Sequence, residues 1–203
     1  MSSPTNRKVC YRCYRPKTSC FCSAITPIET NTRFILLMHP KEFKKTKNGT
    51  GHFTHLSLPN SEIFVGIDFT HDRRIQQIID DPNHICYVLY PSSTSINLNE
   101  NHLDTQGKTL ILFLIDSTWP CSRAILTASP NIDGLPKLSF THTEVSKFTF
   151  KTQPKAYCLS TIESTLIVLK LLNKHGIETI EPSKLEHFLH PFEKMVSYQL
   201  SFV

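Results

Sequence analysis

The chain has 203 residues, of which 39% are hydrophobic and 19% are charged, and its net charge is +5. These values are typical of one globular domain with a short appendage, and they exclude a chain that is disordered throughout. The apolar runs are too short to cross a bilayer and the first eight residues are polar, so we expect a cytoplasmic protein.

Positive charge is concentrated in the first quarter of the chain. Residues 1–50 contain ten Lys or Arg and two acidic residues, a net charge of +8, which leaves −3 for residues 51–203. Because Lys and Arg bind phosphates whatever the base sequence, this asymmetry indicates a nucleic acid as partner. The alternative is a solvated basic surface without a partner.

Four of the seven cysteines form two closely spaced pairs near the start of the chain: Cys10, Cys13, Cys20 and Cys22. Without a secretion signal a disulfide framework is not expected, whereas two such pairs can surround one tetrahedral Zn²⁺. Arg12, Arg15 and Lys17 would make this element a small basic knob. We therefore predict a zinc-binding element over residues 1–30 and an α/β domain over residues 31–203. A reduced segment without metal is the alternative.

Beyond residue 30, short apolar segments alternate with helical ones. The sequence predicts strands at residues 34–38, 63–67, 85–90 and 110–115, and extended segments at 137–140 and 149–150. It predicts helices at residues 53–58, 71–81, 118–127, 160–174, 183–189 and 191–199, and a polar connection over 92–109. Strands of continuous Ile, Leu and Val that alternate with helices are typical of an α/β fold, so we expect a mostly parallel sheet flanked by helices.

Ligands of open α/β sheets bind beyond the carboxyl ends of the strands, where helix N-termini present free N–H groups. Three predicted strand ends carry polar residues, at 39–40, 90–92 and 116–119, and the capped turn at 159–161 is a fourth candidate. The third strand end holds an acid, Asp116, and the only tryptophan of the chain, Trp119. A carboxylate can accept a proton or bind a cation there, and an indole can stack on a base. The alternative is that Asp116 caps a helix while Trp119 fills the core.

Residues 112–120, Leu-Phe-Leu-Ile-Asp-Ser-Thr-Trp-Pro, resemble the Asp-x-Thr-Trp motif from which the DTW-domain family takes its name. Further segments match this family in the same order: the four cysteines and residues 36–42, 48–51, 89–91 and 159–163. The resemblance covers residues 10–175. The sequence departs from the family at Ser117, where glycine is more familiar, and at Cys121 and Ser122, which replace polar residues expected there.

The DTW-domain family comprises tRNA-uridine aminocarboxypropyltransferases and is related to the knotted SPOUT methyltransferases. The resemblance implies a SPOUT-like knotted fold and transfer of the 3-amino-3-carboxypropyl group of S-adenosylmethionine to N3 of a tRNA uridine, which releases methylthioadenosine. It also implies a pocket for S-adenosylmethionine, formed by Leu89, Tyr90, Pro91, Ser92, Ile115, Asp116, Trp119, Leu159, Ser160, Thr161 and Glu163. Since this displacement needs no metal, the Zn²⁺ would be structural.

For the implied reaction, three residues are candidates for catalysis: Asp116, Thr118 and Trp119. Asp116 would take the proton of uridine N3 with Thr118 orienting it, and Trp119 would stack on adenine or on the target base. Alternatively, Asp116 would hold the ammonium group of the donor, and the base would be Glu42 or Glu163.

Residues that follow the first strand are candidates for phosphate contacts with tRNA: His39, Lys41, Lys44, Lys45 and Lys47. A mobile loop without substrate contact is the alternative. Two other functions stay open at this point. One is a SPOUT-type RNA methyltransferase that uses the same donor, and the other is a non-enzymatic zinc-containing RNA-binding protein.

Overall fold

The computed structural model describes residues 8–44, 49–143, 146–147 and 159–202, which form one six-stranded sheet flanked by helices. The strands are β1 (Arg33–Met38), β2 (Ser61–Val65), β3 (His84–Leu89), β4 (Ile96–Asn97), β5 (Thr109–Asp116) and β6 (Lys137–Ser139). Their order in space is β2-β1-β5-β3-β6-β4, and each pairing is parallel. The predicted α/β class with a mostly parallel sheet is therefore confirmed.

Helices cover both faces of the sheet. They are α1 (Pro40–Lys44), α2 (Gly51–Ser57), α3 (Arg73–Asp80), α4 (Trp119–Ala128), α5 (Pro130–Asp133), α6 (Thr161–Lys174), α7 (Pro182–His187) and α8 (His190–Leu200). The Asp72 carboxylate caps α3 by accepting hydrogen bonds from the backbone N–H groups of Arg74 and Ile75. The predicted capping box of Ser160 and Glu163 opens α6.

A few elements differ from their prediction. β2 lies at 61–65 rather than 63–67, because its pairing with β1 ends where Val65 meets Met38. The connection predicted over 92–109 contains β4, a two-residue strand paired with β6, which is too short to leave a periodic pattern in the sequence. The basic segment after β1 opens with α1, which its polar residues do not indicate. The extended segment predicted at 149–150 lies outside the described residues.

The alternating side chains of β5 divide the core in two. Leu110, Leu112 and Leu114 pack in the cluster that includes α6, α7 and α8, while Ile111 and Phe113 pack with residues of α3 and α4. Because side chains on a strand alternate between its faces, Asp116 continues the leucine row. β5 therefore places the Asp116 carboxylate on the face of the sheet against which the N-terminus of α6 lies.

The N-terminal segment packs against the main body of the fold. The ring of Phe21 contacts that of Phe53 in α2 and that of Tyr198 in α8. The division into two units at residue 30 stays a prediction. So does the knotted path, because residues 148–158 between β6 and α6 lie outside the described residues. Among the residues that the structure describes, no helix is long and apolar enough to cross a membrane; the cytoplasmic location stays a prediction.

Candidate active site

A cleft opens at the carboxyl edge of the sheet, beyond the ends of β3, β5 and β6. It consists of two adjoining cavities of about 110 and 320 Å³, which share the lining residues Leu89, Pro91, Trp119 and Leu159. The larger volume is in the range of sites for small organic ligands. Seven residues predicted for the donor pocket line this cleft: Leu89, Tyr90, Pro91, Ile115, Trp119, Leu159 and Thr161.

Asp116 lies directly behind the wall of the cleft. Its side chain is buried, with 6% of the residue exposed, and its Oδ1 accepts a hydrogen bond of 2.6 Å from Thr161 Oγ1. Thr161 itself lines the smaller cavity, so its hydroxyl connects the buried carboxylate to the cleft. Thr161 is the first residue of α6, so the Asp116 carboxylate lies at the N-terminus of that helix.

The other side of the Asp116 carboxylate faces the first residue of α2. A Cβ atom at Gly51 would overlap Asp116 Oδ2 and would also lie 2.7 Å from Met38 Cε. A side chain at this position would therefore displace the Asp116 carboxylate or the end of Met38, and glycine leaves both in place. The carboxylate is thus held between Thr161 on one side and the Gly51 backbone on the other.

Trp119 forms part of the rim of the cleft. It is 41% exposed and its ring centroid lies 5.9 Å from that of Tyr90 at the end of β3. The alternative in which Trp119 fills the core is therefore wrong. An indole in this position can offer a face to a bound ligand while its other contacts fix its orientation.

Thr118, predicted to orient Asp116, makes no hydrogen bond to it among the described contacts. It is the exposed N-cap residue of α4, and its side chain makes no capping hydrogen bond. Its carbonyl oxygen accepts hydrogen bonds from the backbone N–H and the hydroxyl of Ser122. The hydroxyl that the structure places on Asp116 is that of Thr161, from a segment 45 residues further along the chain.

Three other predicted pocket residues are not on the walls of the cleft: Ser92, Ser160 and Glu163. Ser92 lies in an exposed turn after β3, where its carbonyl accepts a hydrogen bond from Ser95 Oγ. The Glu163 carboxylate accepts hydrogen bonds from Ser160 N and Oγ, Ser146 Oγ and Lys147 N, at 2.6 to 3.2 Å. This carboxylate anchors the start of α6 instead of facing the cleft. Glu42, the other alternative base, lies in α1 and also does not line the cleft.

Sequence reasoning missed several residues of the cleft. Ser122 and Ser164 line the smaller cavity, and Leu138, Ser139, Phe140, Thr141 and His142 line the larger one. Ser117, which also lines the smaller cavity, lies in the strand end predicted at 116–119. Residues 137–140 are predicted to be extended, but no sequence pattern indicates that they pair with β3. The hydroxyl groups of Ser117 and Ser122 lie 2.9 Å from each other. The predicted turn from strand to helix between these two residues is the sequence signal that could have indicated this contact.

The four cysteines predicted to bind zinc form one cluster, called here the cysteine cluster. Their sulfur atoms all lie within 4.8 Å of one another, with Cys10 Sγ 3.9 Å from Cys22 Sγ and Cys13 Sγ 3.8 Å from Cys20 Sγ. Tetrahedral Zn²⁺ with Zn–S bonds of about 2.3 Å would hold its sulfurs about 3.8 Å apart. The cluster could therefore hold a metal ion, and the spacing fits zinc.

The environment of the cysteine cluster favours at least one thiolate. Hydrogen bonds from the backbone of Cys13 and Arg12 lower the pKa of Cys10 to about 6. Burial raises the pKa of Cys13 and of Cys22. Buried thiols of this kind ionise readily only when a cation lies beside them, which is the situation that a metal ion creates.

The residues predicted to contact tRNA differ in exposure. Lys41 and Lys44 are exposed on α1. His39 is buried, and its Nδ1 accepts a hydrogen bond from Lys41 N, so its ring shapes the start of α1 instead of facing solvent. Lys45 and Lys47 lie outside the described residues.

The surface around the cysteine cluster also departs from its prediction. Arg12 and Lys17 are exposed, but Arg15 is buried, so the basic knob does not contain all three. Tyr11, which the sequence analysis does not single out, is 90% exposed between Cys10 and Arg12. The ring of Tyr14 packs against Phe43 of α1 at a centroid distance of 6.0 Å and so joins this surface to the one that carries Lys41 and Lys44.

The fold and the cleft define an α/β protein with a buried acid and an exposed tryptophan at the carboxyl end of its central strand. The chain belongs to the DTW-domain family, because the family model for the DTW domain matches residues 7–200. This match includes the cysteine cluster as well as the cleft. No solved structure matches the chain.

Curated relatives of the chain carry the name tRNA-uridine aminocarboxypropyltransferase 2. The chain is similar to the one from Drosophila melanogaster, with 30% identity over 97% of the chain and 77% of that relative. It is also similar to those from Mus musculus and Macaca fascicularis, with 28% and 25% identity over 96% of the chain. The match spans 64% of the length of each of these two mammalian proteins.

Proposed function

We propose that this protein is a tRNA-uridine aminocarboxypropyltransferase that transfers the 3-amino-3-carboxypropyl group of S-adenosylmethionine to N3 of a tRNA uridine and releases methylthioadenosine. The observation that carries the proposal is the pair formed by Asp116 and Thr161 behind a cleft whose rim is Trp119. The names of the curated relatives support the same activity.

The donor would bind in the cleft. Leu89, Pro91 and Leu159 supply apolar walls for the adenosine, and the exposed face of Trp119 supports stacking on adenine or on the target uracil. The three carbons attached to the sulfonium of S-adenosylmethionine are all electrophilic. The product is therefore decided by which carbon the cleft presents to the nucleophile, and positioning is the main catalytic device.

The proton of uridine N3 must leave as the new bond forms. In the proposed step, N3 attacks the terminal methylene of the aminocarboxypropyl group, the C–S bond breaks, and its electron pair stays on the sulfur of methylthioadenosine. The N3 proton passes to Thr161 Oγ1 while the Thr161 hydroxyl proton passes to Asp116 Oδ1, which it already approaches at 2.6 Å. Asp116 is the base in this scheme and Thr161 is the group that reaches the substrate.

The tRNA would bind across the surface formed by the cysteine cluster and α1. Lys41, Lys44 and Arg12 are exposed there and can neutralise phosphates, and the exposed ring of Tyr11 can stack on an unpaired base. A structural Zn²⁺ held by the four cysteines would keep this surface in shape, and the reaction itself would not pass through the metal.

The test uses tRNA and S-adenosylmethionine labelled in its carboxyl carbon in one reaction and in its methyl carbon in another, followed by analysis of the nucleosides. The proposal predicts carboxyl label on uridine and no methyl label. Methyl label on the tRNA would instead identify a methyltransferase, and no label with retained tRNA binding would identify a binding protein without this activity. The variant Asp116→Asn should lower the rate of labelling by about 100-fold or more, and Asp68→Asn, which changes an exposed carboxylate, is the matched control.

A further inference from the structure

Arg15 is the largest side chain that is fully buried in the described part of the chain, with 2% of the residue exposed. Its Nη2 donates a hydrogen bond of 3.1 Å to the carbonyl oxygen of Gly49 and lies 3.3 Å from Met195 Sδ. The guanidinium carbon lies 4.2 Å from the centroid of the Phe53 ring. None of the described carboxylates forms an ion pair with it.

A guanidinium group that is buried without an anion costs several kcal/mol, so its charge needs a partner. Arg15 follows Cys13 by two residues, and its carbonyl oxygen accepts a hydrogen bond of 2.8 Å from Cys10 N, so its backbone is part of the loop that carries the cysteine cluster. The groups of this loop that can become anionic are the cysteine sulfurs. Four thiolates around one Zn²⁺ carry a net charge of −2. A metal–thiolate centre in the cysteine cluster would therefore supply the counter-charge that Arg15 lacks elsewhere.

Arg15 also contacts the segment that shapes the site of Asp116. The carbonyl group that it binds belongs to Gly49, two residues before Gly51, where α2 begins. Gly51 in turn lies against the Asp116 carboxylate without room for a side chain. A short physical path thus leads from the cysteine cluster through Arg15 and residues 49–51 to Asp116.

We propose that Arg15 is a positioning residue that couples the metal–thiolate centre to the active site: the centre neutralises its buried charge, and its hydrogen bond to Gly49 holds the start of α2 against Asp116. The role in catalysis rests on the proposed function, but the coupling between the metal and α2 does not. Loss of the metal would leave the guanidinium without its counter-charge, loosen residues 49–57 and let the Asp116 carboxylate move.

The experiment compares wild type with Arg15→Met, which keeps the apolar packing against Phe53. The control is Arg12→Met, which removes an exposed charge between Cys10 and Cys13. The rate of metal transfer to a chelator should rise about tenfold or more in R15M and stay at the wild-type value in R12M. Amide hydrogen exchange over residues 49–57 should be faster in R15M. Stripping the metal should accelerate this exchange in wild type but add little in R15M, because the coupling is already broken.

The transferase reaction supplies the second readout. In metal-loaded protein, R15M should lower kcat more than it changes KM for tRNA, because Asp116 is displaced while the bound metal keeps the exposed RNA surface in shape. If R15M fails to fold, Arg15→Lys replaces it, because lysine keeps the charge but lacks the planar guanidinium group with its fixed N–H donors. This variant should retain the metal, and its amide hydrogens over residues 49–57 should still exchange faster than those of wild type.

Wild-type protein that contains no metal, or unchanged metal release and exchange in the Arg15 variants, would overturn the inference, and so would an equal effect of R12M. Metal release and exchange need neither tRNA nor donor. A protein without transferase activity would therefore contradict the proposed function. The coupling between the metal and α2 would still be decided by the rates of metal release and of amide hydrogen exchange.

Discussion

Two carboxylates in this protein are buried to the same extent, and their surroundings give them different tasks. Asp116 at the end of β5 and Glu163 at the start of α6 are each 6% exposed. Glu163 accepts hydrogen bonds from Ser146, Lys147 and Ser160, which fixes the first turn of α6. Asp116 accepts a hydrogen bond from Thr161, whose hydroxyl lies on the wall of the cleft. Burial alone therefore does not separate the two carboxylates; the position of their hydrogen-bond donors relative to the cleft does, and it is the reason for proposing Asp116 as the base.

The positions of the two carboxylates also depend on each other. Glu163 holds the capping box that places Thr161 at the first position of α6, and Thr161 connects Asp116 to the cleft. Glu163 thus supports the helix start on which the proposed role of Asp116 depends. Substitutions that separate stability from turnover will test this division.

The largest effect is expected from Asp116→Asn. The amide can still accept the Thr161 hydrogen bond but cannot take a proton, so kcat should fall by about 100-fold or more. Circular dichroism should show an unfolding temperature close to that of wild type. A variant that transfers the aminocarboxypropyl group at the wild-type rate would show that Asp116 is not the base. Asp116 and Glu163 would then not differ in the way proposed.

The next largest effect is expected from Thr161→Val, which keeps the shape of the side chain and removes the hydroxyl. It should lower kcat by about 100-fold, because the proton path from the cleft to Asp116 is lost. Thr161→Ser restores the hydroxyl and should recover most of the rate. Equal activity of the valine and serine variants would show that the hydroxyl carries no proton.

Glu163→Gln should act on stability instead. The amide places a donor where the carboxylate accepts hydrogen bonds, and the free energy of unfolding should fall by about 1–3 kcal/mol in chemical denaturation. The kcat of the folded fraction, measured well below the unfolding temperature, should stay close to that of wild type. Loss of turnover without loss of stability would reverse the roles assigned to the two carboxylates.

The smallest effect is expected on tRNA affinity. Changing Lys41 and Lys44 together to Gln should weaken tRNA binding and reduce the slope of log K against log salt concentration by roughly 2, while kcat is retained. The matched control changes Lys170 and Lys174, which are exposed on α6. A loss of kcat in the first double variant, or an equal change of salt slope in the control, would contradict a role confined to phosphate contacts on α1.

The sequence predicts the secondary structure well where the pattern is strong. Continuous apolar runs locate β1, β3 and β5, and the capping box of Ser160 and Glu163 locates the start of α6. The polar residues at 116–119 are correctly expected at a strand end. These features depend on neighbours in the chain, which periodicity and turn chemistry report directly.

Features that depend on contacts between distant segments are not predicted. No sequence pattern indicates that β5 lies between β1 and β3. Thr118 is the residue predicted to orient Asp116, whereas the hydroxyl that contacts Asp116 is that of Thr161. It treats Arg15 as a surface charge, because local composition does not show that Gly49 and Met195 enclose it. Each of these features concerns a pairing across 25 residues or more, which only the folded topology determines.

A crystal structure with S-adenosylmethionine bound tests the central claim most directly. The donor should occupy the cleft with its adenosine beside Leu89, Pro91 and Trp119 and with the terminal methylene of its amino-acid arm closest to Thr161 Oγ1. A donor bound elsewhere, or one whose methyl carbon faces Thr161 while the amino-acid arm points away, would contradict the assignment of this cleft to aminocarboxypropyl transfer.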